Sequence, residues 1–280
     1  DTIVSFSHMW LACIESTLFL MTGIAAIVLL TRVAAPEVKE FFLRTFKYCI
    51  ALALIVTPLQ MFVGDLSGLT IAHYQPQKLA ATELHWNTNP QGEGAAWSIV
   101  ALPASGGGAN AFEVNVPNGL SMLITHSLTG SVQGLNDFAP DDRPTLIDDV
   151  IVFYSFRIMA GIGVVLFLIT LWACWLWWRG KLSLASVVNR RVFLWLFALA
   201  TPLGFIATEA GWMVREIGRQ PWVVYHLLRT QDGLSANLDA HTVAATTGIF
   251  TLIYIAFGVL FVYFTWRIVK KGPDFTAPVP

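Results

Sequence analysis

Formal charge is what this chain of 280 residues has little of: 12% of its side chains are Asp, Glu, Lys or Arg. An ordinary water-soluble domain carries about twice that share. With 55% hydrophobic residues and a mean hydropathy of +0.62, the deficit excludes a common soluble enzyme and points to a chain embedded in lipid. The net charge of −1 supplies no basic footprint, so nucleic acid is not an expected partner. Cysteine is scarce as well. Cys13, Cys49 and Cys174 stand in apolar stretches with no CxxC spacing, which excludes a disulfide framework and leaves small hydrophobes. The first apolar run lacks a basic n-region and an A-x-A-like cleavage site, so no signal peptide is expected, and the opening Asp1 suggests a fragment or a processed chain.

Long apolar runs are abundant. A membrane-spanning helix needs about 20 mostly apolar residues. Five segments qualify: His8–Leu30, Tyr48–Val63, Val150–Trp178, Val192–Trp212 and Thr242–Trp266. They do not alternate as barrel strands would, and in lipid each backbone N–H must be satisfied inside its own segment, so each is expected to be a helix. The expected fold is an all-α integral membrane protein with five transmembrane helices and a long extracytoplasmic loop between the second and third. The expected divisions are 1–64, a first helix pair; 65–149, the loop; and 150–280, three helices with a cytoplasmic tail.

Orientation follows from Lys and Arg. Arg32, Lys39, Arg44 and Lys47 lie between the first two spans. Arg179, Lys181, Arg190 and Arg191 follow the third, and Arg267, Lys270 and Lys271 follow the fifth. Alternating spans put these eleven basic residues on one side, which the positive-inside rule makes cytoplasmic. The loop from Asp65 to Asp149 and the stretch Arg215–Ala240 then lie outside. A loop of that length is functional or disordered as a rule. Its Gly106-Gly-Gly108 has no GxxxxGK[ST] frame and no strand expected before it, so it reads as a flexible tip. No internal repeat is found.

Ionisable or ligating groups near the outer ends of apolar helices are costly and therefore mark candidate sites. His8 opens the first helix, and Met159 lies one to two turns into the third, at similar depth. An imidazole and a thioether suit a six-coordinate haem iron; the plainer alternative is an interfacial His and a packing Met. On the fourth helix Glu209, Trp212, Glu216 and Arg219 fall at i, i+3, i+7 and i+10, within one face. They suit metal ligation, proton carriage or pairing with a cofactor carboxylate, or else they are snorkelling interfacial charges. Gly218-Arg-Gln-Pro-Trp222 reads as an interfacial turn, because Pro221 ends a helix. His73, His85, His126 and His226 are read as loop or interfacial residues, with His85 near enough to Glu83 to serve the same site. Asp239, ahead of His241, suits a helix N-terminus. Glu15 shares a face with His8 and is either a proton or haem-edge group or a paired buried Glu.

Four ordered motifs carry a family resemblance. Glu209-Ala-Gly-Trp-Met-Val-Arg-Glu216 with Gly218-Arg-Gln-Pro-Trp222 resembles the signature of cytochrome bd quinol oxidase subunit I. Gly64-Asp-Leu-Ser-Gly68, Gln77-Lys-Leu-Ala-Ala-Thr-Glu83 with Trp86, and Phe156-Arg-Ile-Met159 resemble further family motifs in the same order. The resemblance implies that His8 and Met159 are axial ligands of a low-spin haem b, with Arg157 stabilising charge there. It implies that Glu216 ligates a high-spin haem b, with Trp212 packed between the high-spin haems and Glu209 and Arg219 as neighbours or propionate partners. Lys78 and Glu83 would serve quinol binding and oxidation. They are five residues apart, so they need a turn or two separate contacts.

Family subunits have nine helices, and this chain resembles the last five. The first four, with the His used at haem d, would come from the rest of a longer protein or from another chain. Further implied partners are subunit II, small single-helix subunits, the lipid bilayer, quinol and oxygen, in a bacterial or archaeal cytoplasmic membrane. Two other readings compete: a diverged haem b quinol dehydrogenase with another acceptor, and a non-redox transporter.

Overall fold

The computed structural model describes residues 2–31, 34–233 and 238–271; Arg32 of the first basic cluster lies outside the described residues. Five helical stretches are long and apolar enough to cross a membrane: Thr2–Leu30, Pro36–Tyr74, Leu146–Trp178, Arg191–Ile217 and Ala240–Lys271. The chain divides into two units, Asp1–Gln231 and Asp232–Pro280. The expected divisions at 64/65 and 149/150 both fall inside helices.

In the first unit α1 spans Thr2–Leu30 and α2 spans Pro36–Tyr74. The apolar run in α2 covers only its middle. Pro36–Lys47, with Glu37, Lys39, Glu40 and Arg44, extends it at one end and Asp65–Tyr74, a mixed polar and apolar stretch, at the other. Leu146–Trp178 forms the long helix α5, which opens with a capping box between Thr145 and Asp148. The expected single helix at Val192–Trp212 is instead two, α7 (Arg191–Ala200) and α8 (Leu203–Ile217). Pro202 causes the break, since it cannot donate back to the preceding turn. A four-residue turn, α6 (Leu184–Val187), precedes them.

The core of the span region is aromatic and small-residue in turn. Phe46 of α2 stands edge-on to Phe197 of α7, ring centroids 4.8 Å apart, and Phe19 of α1 stacks on Phe197. Leu166, Ala173 and Leu176 of α5 join the same cluster. Glycine permits the closest approaches. A Cβ on Gly204 would stand 2.7 Å from the Ser16 Cα, so α1 and α8 touch backbone to backbone there.

The segment between α2 and α5 is folded. It holds α3 (Pro76–Glu83), an antiparallel hairpin of β1 (Trp97–Pro103) and β2 (Asn110–Val116), and α4 (Gly119–Thr125). Ala80, Ala81, Leu84, Trp86, Ala101 and Leu135 bury against Phe153 of α5. A strand thus does precede Gly106–Gly108, contrary to expectation. The glycines form the hairpin turn, where Gly107 and Gly108 take φ of +70° and +79° that other residues rarely adopt. Ile99–Leu102 is a short continuous apolar run with no polar–apolar alternation to mark it as a strand. A second small ribbon pairs β3 (Trp222–Val224) with β4 (Leu228–Arg229), so the mostly helical fold carries two small sheets.

The second unit is helix α9 (Ala240–Lys271). Asp239 accepts from the His241 and Thr242 N–H groups at 2.6 and 3.0 Å, as expected of an N-terminal Asp. Those bonds hold its carboxyl below the usual carboxylate range.

Candidate functional site

Arg157 is where the loop meets the span region. On α5 it has little freedom, because its guanidinium carbon lies 3.7 Å from the Phe153 ring centroid, with Trp97 on another side. Its Nη2 donates to Glu83 Oε2 at 2.6 Å and to the Ser98 carbonyl at 2.7 Å. Nη1 donates to the Thr82 carbonyl at 2.6 Å, and Nε reaches Ser98 at 3.2 Å. One side chain therefore fastens α3 and β1 to α5. The pair is secluded, with side-chain exposures of 11% for Arg157 and 5% for Glu83. Burial pushes the Glu83 carboxyl above the usual carboxylate range, while Arg157 pulls the other way.

Lys78 leaves the other end of α3. It is buried, and its Nζ donates to the Arg215 carbonyl at 3.1 Å, in the last turn of α8. Burial, first, and the nearby cations Arg215 and Arg219 lower its ammonium to about 8, with Glu216 opposing. Lys78 and Glu83 thus make the two separate contacts that their spacing demanded.

Gln77, which sequence reasoning passed over, donates its amide to the Asp142 carbonyl and reaches the Gln220 carbonyl at 3.5 Å. Asp142 in turn pairs with Arg229 at 2.6 Å. Those two lie 87 residues apart, and no local pattern could have linked them.

On α8 the four residues of the stripe lie away from the helix's buried face. Ala210, Val214 and Gly218 are buried, whereas Glu209 and Trp212 are exposed and Glu216 and Arg219 are half-buried. Glu216 has the cationic partner its position called for, Arg219 at 2.5 Å. Arg219 Nε is itself buried without a partner among the described residues.

His8 and Met159 lie on different helices, and each is fronted by a glycine. A Cβ on Gly64 would stand 3.2 Å from His8 Cε1, and one on Gly211 would stand 3.0 Å from Met159 Sδ. His8 Nδ1 is buried with no hydrogen-bond partner among the described residues. An orphaned imidazole nitrogen and a thioether beside small residues fit a haem-binding donor set. Among the described residues no cluster of three His, Cys, Asp or Glu could hold a bare metal ion. His85 bonds to the Val132 carbonyl at 3.1 Å, and burial lowers its imidazole; it braces the loop. Glu15 is buried in α1, and Asp149, which sequence reasoning used only as a loop end, is buried with one oxygen unpartnered.

The family model described as cytochrome bd terminal oxidase subunit I matches residues 1–273. The chain belongs to that family. It is 30% identical to the cytochrome bd ubiquinol oxidase subunit 1 of Bacillus subtilis (strain 168), over 97% of this chain and 57% of that protein. It is 30% identical to the bd-II ubiquinol oxidase subunit 1 of Escherichia coli (strain K12), over 79% of this chain and 53% of that one. The solved bd oxidase from Geobacillus thermodenitrificans superposes with a TM-score of 0.78 at 27% identity, over 96% of this chain and 58% of that chain. This bd-family chain therefore spans little more than half the length of these relatives. The match, together with the five apolar helices, makes it a membrane protein.

Proposed function

We propose that this chain is the quinol-oxidising, electron-transferring part of a membrane quinol:oxygen oxidoreductase. One observation carries the reading: the buried Glu83–Arg157 pair ties a loop carboxyl to the helix turn that ends in Met159. Three relatives are named as bd quinol oxidase subunits, and the motif residues named above stand in family order.

Quinol oxidation releases two electrons and two protons. Glu83, held by Arg157 at the outer end of α5, accepts one of the two hydroxyl protons, the other passes directly to water, and both leave to the outer face. Lys78 keeps a cation beside the same short helix, where an anionic quinol oxygen is steadied. His8 and Met159 would hold a low-spin haem b, and Gly64 and Gly211 leave room for those two side chains. Glu216 would hold a high-spin haem b, near Trp212, with Arg219 and Glu209 setting the local charge. Bound haem supplies the one-electron acceptors. Haem d and the reduction of oxygen need the helices that the relatives carry beyond the matched part, and subunit II completes the assembly. The membrane is the bacterial or archaeal cytoplasmic membrane, with the loop outside and the basic turns inside.

A visible absorption spectrum of the membrane-embedded protein tests this reading. Low- and high-spin haem b bands are expected, with a red-shifted chlorin band in the complete assembly. Met159→Leu keeps the side-chain volume but removes the thioether, and converts the low-spin signal to high-spin. Glu216→Ala loses the high-spin haem b and spares the other. An unchanged spectrum in both variants would overturn the assignments, and absence of haem from the wild type would favour a transporter.

A further inference from the structure

We propose that Lys78 is a positioning residue for the Glu216–Arg219 pair, closing the C-terminus of α8 from across the fold. The inference rests on the reading of Glu216 as a haem-holding residue.

A helix leaves its last four carbonyls without intrahelical donors. In α8 these belong to Val214, Arg215, Glu216 and Ile217. The chain that follows serves three of them. The Gly218 N–H donates to Val214 at 3.2 Å and the Gln220 N–H to Ile217 at 3.0 Å. The Gln220 side chain reaches Glu216 at 3.4 Å. Pro221 has no N–H to give. The Arg215 carbonyl takes its donor from elsewhere: Lys78 Nζ, 137 residues away, at 3.1 Å.

The approach is built for this contact. Gly218 is buried, and a Cβ there would stand 3.2 Å from Lys78 Cε. A cation at a helix C-terminus also opposes the negative end of the helix dipole. Gln77 adds a second tie from α3, to the Gln220 carbonyl. The two contacts of Lys78, at Arg215 and Gly218, thus each stand one residue before a member of the pair, Glu216 and Arg219. The other end of α3 is fastened to Arg157. Replacing Lys78 therefore removes the donor to the Arg215 carbonyl and leaves Gln77 as the tie at that end of α3, while the Met159 side stays fixed. A lysine serving quinol alone would have no reason to bury its ammonium on this carbonyl.

The test uses the membrane-embedded holoprotein with Lys78→Met, read by haem spectrum and by hydrogen–deuterium exchange of residues 216–222. The expected result is loss of more than half of the high-spin haem b band, an unchanged low-spin band, and exchange at least tenfold faster over 216–222. Lys78→Arg, which keeps a cationic donor, restores both signals. Wild-type spectrum and exchange in Lys78→Met, with only a raised KM for quinol, would overturn the proposal. So would loss of the low-spin band as well, or failure of Lys78→Arg to restore either signal. Glu216→Ala separates the two readings: if it keeps the high-spin band, the reading of Glu216 fails, while the exchange measurement still decides the role of Lys78.

Discussion

Glu83 and Arg157 are each costly to bury alone and tolerable together. Removing one partner of a buried ion pair costs about 3–5 kcal/mol, because the other charge is left uncompensated. Arg157→Ala is expected to destabilise the protein by about that much, read as a lowered thermal midpoint in detergent, since its four hydrogen bonds also anchor the loop. Glu83→Gln keeps the shape and removes the proton acceptor. Quinol-driven turnover should fall about 10²-fold, while an artificial donor that bypasses the loop reduces the haems at the wild-type rate. Equal loss with both donors would move Glu83 away from quinol. Lys78 predicts a pH dependence. Its ammonium titrates at about 8 in the fold and near 10.5 when exposed. Between those values the unfolded chain holds a proton that the folded chain has released, so stability rises with pH through that window. Lys78→Met should remove that rise, measured as thermal midpoint against pH.

At the scale of elements, the spans hold together through glycine contacts as much as through the phenylalanine cluster. Gly204 lets α8 lie on the Ser16 backbone of α1. Gly204→Val should cost about 1–3 kcal/mol, as overpacking does, seen as faster thermal loss of the low-spin band; an unchanged melting curve would mean the two helices are free to part. Apolar run length located all five spans, because lipid imposes a minimum length that no other feature mimics. It misjudged where helices end and where they break. α2 continues past Gly64 on a stretch of mixed polar and apolar residues that no longer reads as a continuous apolar run, and Pro202 divides what looked like one helix. The β1–β2 hairpin escaped because β1 holds a continuous apolar run without alternation, and its turn holds an all-glycine stretch that reads equally as a flexible tip.

At the scale of the whole molecule, the exposed face of α8 and the partial coverage of relatives bear on what this chain does alone. Glu209 and Trp212 are exposed there, and the chain spans 57% of the Bacillus subtilis relative. The chain expressed alone is therefore expected to bind low-spin haem b through His8 and Met159 but to consume no oxygen with quinol. Oxygen consumption by the isolated chain, measured polarographically, would show that the further helices are dispensable.

The sequence by itself determined the membrane class and the five spans, and it singled out candidate site residues. Lipid forces long uncharged runs, and costly charges or ligands stand out against them, as His8, Met159, Glu216 and Arg157 do. The tertiary structure alone decided the partnerships. That Arg157 grips Glu83, that Lys78 closes α8, and that Asp142 meets Arg229 depend on contacts across 74, 137 and 87 residues. Such pairings are set by how helices pack and by which buried polar groups lack a local partner, and neither leaves a periodic trace along the chain.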